Sequence, residues 1–334
     1  MKAIVCHAFG DFHDLNVEET PAPPLVAGGV RIAIEAASIS FATSLWVAGK
    51  YQHKPPLPFI PGGEFVGTVT ECAPDAHRFK PGDRVLAISG WGGYAEQAIV
   101  TEHTVYPLPT GIEAGAALHL ATSYATAYGA LVWRAKLEPG ETLLVLAAAG
   151  GVGLAALEVG RVLGAKVIGA AGGADKCAIA LEHGAQAAID YRSGDLRTEI
   201  RRVTDGQGLD VVFDPVGGAS FDAALRSLVP GGRHVVIGFA GGSIPQIPAN
   251  ILLVKNIAVM GFNIGMWYGW SENDERGKHE SDMRAAFERI FAWYAEGRLQ
   301  PLVSQVYPLA RFAEAQDAVL ERRSVGKVVL QIKQ

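Results

Sequence analysis

Between about residue 140 and residue 265, short β-branched runs alternate with amphipathic stretches. That is the pattern of successive βα units building a parallel sheet. It predicts six strands: Glu141–Ala148, Ala165–Ala171, Ala187–Asp190, Leu209–Val216, Arg233–Phe239 and Ile257–Ile264. Several are apolar on both faces, as expected for strands covered by helices on each side. A helix is predicted over Gly151–Leu163, where Val152, Ala155, Ala156, Val159 and Leu163 recur at spacings of three and four and Gly164 follows as a stop. Before residue 120 the pattern changes. Short alternating strands such as Gly29–Ala37 and Phe65–Cys72 are broken by the Pro and Gly clusters PAPP, KPPLPFIPGG and KPGDRV, which predicts an antiparallel, β-rich domain. The tail returns to a helix, Asp282–Glu296, and a strand, Gly326–Ile332. It is long enough only to complete another domain, so we read it as folding back onto the N-terminal one.

The resulting organisation is α/β, with one β-rich domain from residues 1–122 and 266–334 and one doubly wound, six-stranded parallel domain from 123–265. Composition agrees with two cores. The chain has 334 residues, 49% hydrophobic and 19% charged. A net charge of −5 and a pI near 6.0 argue against nucleic acid or anionic membrane as partners. No apolar run is long enough to span a bilayer and no signal peptide is expected at MKAIVCHAFG. Cys6, Cys72 and Cys177 are odd in number and far apart, so neither a disulfide framework nor a CxxC pair is on offer, and a reducing cytoplasm is the expected location.

Chemistry enters after the first strand of the parallel domain. Ala148-Ala149-Gly150-Gly151-Val152-Gly153 opens a helix directly behind ETLLVLAA, the setting in which a GxGxxG-like turn binds a dinucleotide. Ala148 replaces the first glycine. Gly150 and Gly151 let the backbone approach a pyrophosphate, Gly153 permits close helix packing, and the helix N-terminus offers free N–H groups. About 20 residues further on, a carboxylate would hold the ribose 2′-OH of NAD. Here the strand tip reads Ala170-Ala171-Gly172-Gly173, so NADPH is the expected cofactor. Lys176, one short turn on, is placed to meet a 2′-phosphate or to stand as an ordinary solvated lysine, and its position alone weighs these equally.

At this point the chain resembles the zinc-independent, zeta-crystallin-like NADPH:quinone oxidoreductases of the medium-chain dehydrogenase/reductase superfamily. The resemblance rests on the AxxGxxG form at Ala147–Gly153, the segment Phe213-Asp214-Pro215-Val216-Gly217-Gly218 and the terminal Arg322-Arg323-Ser324-Val325-Gly326-Lys327-Val328. It implies a GroES-like β-rich catalytic domain beside a Rossmann domain. It also implies that Lys176, Tyr191 and Arg322 grip the 2′-phosphate, and that Thr126, Gly238-Phe239-Ala240 and Phe262-Asn263 lie along the nicotinamide half.

The zinc alcohol dehydrogenases of the superfamily carry a Cys where this chain has Ser40, and a His-Glu pair where it has Gly63-Glu64. Serine and glycine cannot stand in for thiolate and imidazole, and the four-cysteine structural lobe is absent, so no metal is expected. Hydride delivery to an electron-poor quinone or α,β-unsaturated carbonyl then replaces alcohol chemistry. Ser40, where the family commonly has Asn, and Tyr51 are the expected hydrogen-bond donors to the acceptor oxygen, while Leu45 stands where a second tyrosine can occur and leaves the proton donor open. For Tyr51 a packing role beside KPPLP weighs equally. Two other functions stay open: an enoyl-thioester (acyl-CoA) reductase, and a non-catalytic NADPH-binding sensor or structural protein. The apolar last Rossmann strand at a sheet edge predicts a homodimer.

Overall fold

In the N-terminal half, side chains of the strand Gly29–Ile39 alternate between buried Val30, Ile32, Ile34 and Ala36 and half-exposed Arg31, Ala33 and Glu35. This period of two places one face on a core. The computed structural model describes residues 1–271 and 273–333. In chain order the strands are β1 Lys2–Ile4, β2 Val17–Glu19, β3 Gly29–Ile39, β4 Glu64–Cys72, β5 Arg84–Ile88, β6 Gln97–Thr101, β7 Val105–Pro107, β8 Thr142–Leu146, β9 Lys166–Ala171, β10 Ala187–Asp190, β11 Leu209–Asp214, β12 Leu228–Val236, β13 Ala258–Gly261, β14 Val303–Pro308 and β15 Lys327–Gln331. The helices are α1 Phe41–Val47, α2 Ala114–Leu120, α3 Thr122–Tyr128, α4 Gly151–Val162, α5 Ala174–Glu182, α6 Leu196–Val203, α7 Gly218–Arg226, α8 Ala249–Lys255, α9 Arg276–Ala295 and α10 Phe312–Leu320.

The chain divides into two compact units. The first comprises Met1–Thr122, Ile264–Phe291 and Pro301–Gln334, and the second comprises Ser123–Asn263 and Ala292–Gln300. In the first unit a sheet runs β14-β15-β3-β4-β5-β7, with β6 also on β3. The terminal strand β15 pairs antiparallel with β3, Val328 opposite Ile39 and Gln331 opposite Ala36, which is how the tail closes onto the N-terminal sheet. Its core gathers Val30, Ile32, Ile34, Phe65, Val85, Tyr94 and Phe312, and α1 leaves β3 directly through Ser40.

The second unit holds a parallel sheet in the order β10-β9-β8-β11-β12-β13. The chain winds outward from β8 to β10, returns to β11 beside β8, and winds outward again, so the switch point lies between β8 and β11. Val145 of β8 faces Phe213 of β11 there. Open α/β sheets bind ligands at the carboxyl ends of the strands flanking such a point. Residues 292–300, assigned with the tail from the sequence, go instead with this unit. Gln300 N–H donates to the buried Glu158 carboxylate at 2.7 Å, and Trp293 packs on Tyr128 at 5.8 Å. The last predicted strand is shorter than Ile257–Ile264: it ends at Gly261, and residues 264–268 form a 3-10 turn.

Candidate functional site

Two sets of residues carry chemistry, one in each unit. In the second unit β8 ends at Leu146 and α4 begins at Gly151. Ala147 adopts φ +51°, and the turn closes with Gly150 N–H donating to the Ala147 carbonyl at 2.9 Å. A Cβ at Gly153 would collide with that carbonyl oxygen, so glycine is obligatory for α4 to start this close to the strand. Gly150 is the N-cap, with extended backbone and no capping side chain, and Val152 is half-buried in the first turn. The amides of the first turn and the positive end of the helix are an anion-binding arrangement. Ala148 is fully buried and its N–H donates to the Ala170 carbonyl of the neighbouring strand at 3.0 Å. The left-handed backbone falls at Ala147, so a side chain is tolerated at 148 where the fingerprint has its first glycine.

At the tip of β9 the structure brings together Gly172, Tyr191 and a residue the sequence reading missed, Arg192. A Cβ on Gly172 would lie 2.8 Å from Tyr191 Oη and 2.9 Å from Arg192 Nε, so both side chains close over the bare Gly172 backbone. Gly173 follows with φ +103°, and Lys176 is half-buried in the first turn of α5. Asp190 builds the corner. One carboxylate oxygen accepts from Arg192 N–H and from Gly173 N–H, both at 2.9 Å, and these bonds, led by that of Arg192, hold its pKa below the ordinary value. Tyr191 and Arg192 present a phenol and a guanidinium over Gly172, and the strand ends at Ala171 without an acidic residue of its own. A basic residue next to Tyr191 at the end of a Rossmann strand was the signal available for Arg192. Arg322 belongs to the first unit, in the turn after α10, with φ +59°.

The loop after β11 is organised by Asp214. Its carboxylate accepts from Val216 N–H and Gly217 N–H, each at 2.8 Å, and pairs with His234 Nε2 at 2.9 Å in a fully buried setting. The loop at Gly238-Phe239-Ala240 is tied to it: Ala240 N–H donates to the Pro215 carbonyl at 3.0 Å, and Phe239 is exposed. Thr126 is buried in α3. Phe262 is nearly buried and packs where a Cβ on Gly129 would collide with its ring, with Trp133 at 6.5 Å. Asn263 follows it in the same loop.

In the first unit Ser40 caps α1, and its Oγ lies 3.1 Å from Thr43 Oγ1. Its carbonyl accepts from Gln316 Nε2 at 3.1 Å. Tyr51 N–H donates to the Leu45 carbonyl at 3.2 Å, and its ring stands edge-on to Trp46 at 5.0 Å. Burial pushes the pKa of the Tyr51 phenol up, which favours its neutral form. Trp46 in turn meets Trp270 at 5.1 Å. A Cβ at Gly63 would lie 2.8 Å from the Ser89 carbonyl oxygen and 3.2 Å from the Trp46 ring, so a larger side chain has no room there without moving backbone. Glu64 accepts from Lys327 Nζ and from Ser38 Oγ, both at 2.9 Å, so its charge is already compensated. Among the described residues no three His, Cys, Asp or Glu side chains cluster as a metal site would need.

Family models match both parts of the chain: an alcohol dehydrogenase GroES-like domain over residues 26–110 and a zinc-binding dehydrogenase model over 151–277. The chain is 39% identical to the quinone oxidoreductase-like protein 2 of Rattus norvegicus, over 96% of this chain and 89% of that one. It is 30% identical to the quinone oxidoreductase of Homo sapiens, over 99% and 97%. A solved structure of Escherichia coli quinone oxidoreductase complexed with NADPH superposes with a TM-score of 0.90 at 27% identity, covering 99% of this chain and 100% of that one.

Proposed function

Because the chain belongs to the zinc-independent quinone oxidoreductase family of the medium-chain dehydrogenases/reductases, it is an NAD(P)-dependent oxidoreductase, and we propose that it uses NADPH to reduce quinones or α,β-unsaturated carbonyls. The observation that carries the cofactor half is the closure of Tyr191 and Arg192 over Gly172, with Lys176 in the first turn of the following helix and no acidic residue at Ala171. The residues fit the group. Gly150, Gly151 and Val152 would hold its pyrophosphate on the first turn of α4, Ala148 shapes the turn beneath it, and Lys176, Tyr191, Arg192 and Arg322 would meet the 2′-phosphate. Thr126, the Gly238-Phe239-Ala240 loop and the Phe262-Asn263 loop would serve the nicotinamide half.

When bound, NADPH supplies the hydride. The chain's own residues bind and orient. Ser40 and Tyr51 donate hydrogen bonds to the acceptor oxygen, where negative charge develops as the hydride arrives, and such donors act where charge builds up rather than in the ground state. Water supplies the proton that completes the reduction. Alcohol oxidation needs the hydroxyl proton removed first, and the Ser40 and Gly63 positions offer neither a metal nor a base for it. We also propose a homodimer. β13 is the last strand of its sheet, and Ile244, Ile247, Leu253 and Val254 beside it in sequence are exposed.

The test is steady-state NADPH oxidation with a small quinone and an activated enone, against NADP+ reduction with simple primary alcohols. Turnover of the first group and little of the second supports the reading. Alcohol turnover alone overturns it, and inactivity with every acceptor points to a binding protein.

A further inference from the structure

Ser40 departs from ordinary N-cap behaviour. A capping serine accepts a bond from a backbone N–H of the first turn, yet Ser40 Oγ makes no such bond and is turned to the hydroxyl of Thr43, three residues on. Thr43 is almost completely buried, and Oγ1 lies 3.1 Å from Ser40 Oγ and 3.5 Å from the hydroxyl of Tyr94. Tyr94 is fully buried, and its O–H donates to the Ser38 carbonyl at 3.1 Å.

Three hydroxyls have three protons, and across the 3.1 Å between Ser40 and Thr43 either oxygen can be the donor. The Tyr94 proton is taken by the Ser38 carbonyl. The Thr43 proton then has two oxygens in reach, and the nearer, at 3.1 Å, is Ser40 Oγ. A Thr43 proton on that line makes Ser40 Oγ an acceptor on its inner side and leaves the Ser40 proton to point outward. We propose that Thr43 is a positioning residue whose hydroxyl donates to Ser40 Oγ and thereby presents the Ser40 proton to the acceptor oxygen. This rests on the role proposed above for Ser40 as donor to the acceptor oxygen. The bond from Gln316 to the Ser40 carbonyl holds the backbone at the same point.

The test compares Thr43→Val, which keeps shape and removes the hydroxyl, with Thr43→Ser, Tyr94→Phe, Ser40→Ala and the Ser40→Ala/Thr43→Val double variant, all in NADPH-dependent turnover. Thr43→Val is expected to lower kcat about tenfold with little change in acceptor KM, because an unoriented donor stabilises developing charge poorly. Thr43→Ser should restore most of the rate. The double variant should be no slower than Ser40→Ala, since both changes remove one function. Tyr94→Phe should keep its kcat and lose thermal stability, because it strips the donor from the buried Ser38 carbonyl. A Thr43→Val enzyme at the wild-type rate, multiplicative losses in the double variant, or a Tyr94→Phe loss equal to that of Thr43→Val would each overturn the proposal. Neutron diffraction of the deuterated protein reads the hydroxyl directions without turnover. A Thr43 deuteron on the line to Ser40 Oγ supports the positioning role even if every acceptor fails, and one on the line to Tyr94 refutes it.

Discussion

Lys327 Nζ lies 2.9 Å from Glu64 Oε2, with each side chain only 6% exposed, and the hydroxyl of Ser38 donates to the same carboxylate oxygen. The pair joins the first residues of β4 and β15. Removing one partner strands the other charge in the core, whereas replacing both with apolar groups of similar size removes the desolvation cost as well. Lys327→Met should destabilise by about 3–5 kcal/mol, and Glu64→Met/Lys327→Met should recover most of that. Urea denaturation midpoints compare them, and an unchanged midpoint in Lys327→Met would show the ion pair to be dispensable.

The same pairing bears on metal. Glu64 has its charge matched by Lys327, and any side chain at Gly63 would press on the Ser89 carbonyl. The purified protein should carry no stoichiometric zinc and should keep its turnover in strong chelator. Even Ser40→Cys/Gly63→His should fail to acquire tight zinc, because the histidine has no room and catalytic zinc needs three protein ligands. About one zinc per chain by elemental analysis of the wild type would contradict this.

Cofactor choice is tested at the tip of β9. Lys176→Ala and Arg192→Ala should each weaken NADPH binding about tenfold, the loss of a charge-assisted contact to phosphate, and should leave NADH binding unchanged. Ala171→Asp should shift preference toward NADH by supplying a partner for the 2′-OH. Fluorescence titration with both cofactors measures all three. A uniform loss for NADPH and NADH in Arg192→Ala would place that residue elsewhere than at the 2′-phosphate.

Much of the second unit was legible in the sequence because βα units write local periodicity. Ala187–Asp190 is a strand at the predicted bounds, and α4 starts at the predicted Gly151. The glycine turn was legible because Gly153 answers to a collision that only glycine avoids. Arg192 was missed because its place over Gly172 depends on the corner built by Asp190, a contact across 17 residues. The ring of Phe262 fills the space above Gly129, a contact that no local pattern reveals. The Ser40, Thr43 and Tyr94 hydroxyls come from α1 and from a loop 51 residues later, so their alignment is a property of tertiary packing.

The edge of the parallel sheet carries its own test. β13 pairs on one side with β12, through Arg233 opposite Ala258 and Val236 opposite Gly261, and ends the sheet. Leu253 and Val254 of α8 are 78% and 76% exposed, an unusual placement for aliphatic side chains in a monomer. Light scattering should return about twice the 35.3 kDa of one chain. Leu253→Asp/Val254→Lys should shift the mass toward one chain, and a single-chain mass for the wild type would remove the argument.

Tyr51 supplies the pH test. Burial raises its pKa above the ordinary phenol value of about 10, which favours the neutral form. The O–H of its hydrogen bond is therefore present at every pH below that raised value and is lost only above it. If Tyr51 donates to the acceptor oxygen, its ionisation should produce no alkaline fall in kcat/KM between about pH 7 and 10. Tyr51→Phe, which keeps the ring against Trp46, should lower kcat about tenfold with a smaller effect on NADPH binding. The two measurements must agree. A Tyr51→Phe enzyme at full rate would assign the ring to packing alone, and a wild-type alkaline limb centred near pH 8 that vanished in Tyr51→Phe would mean that the phenol ionises far more readily than its buried position allows.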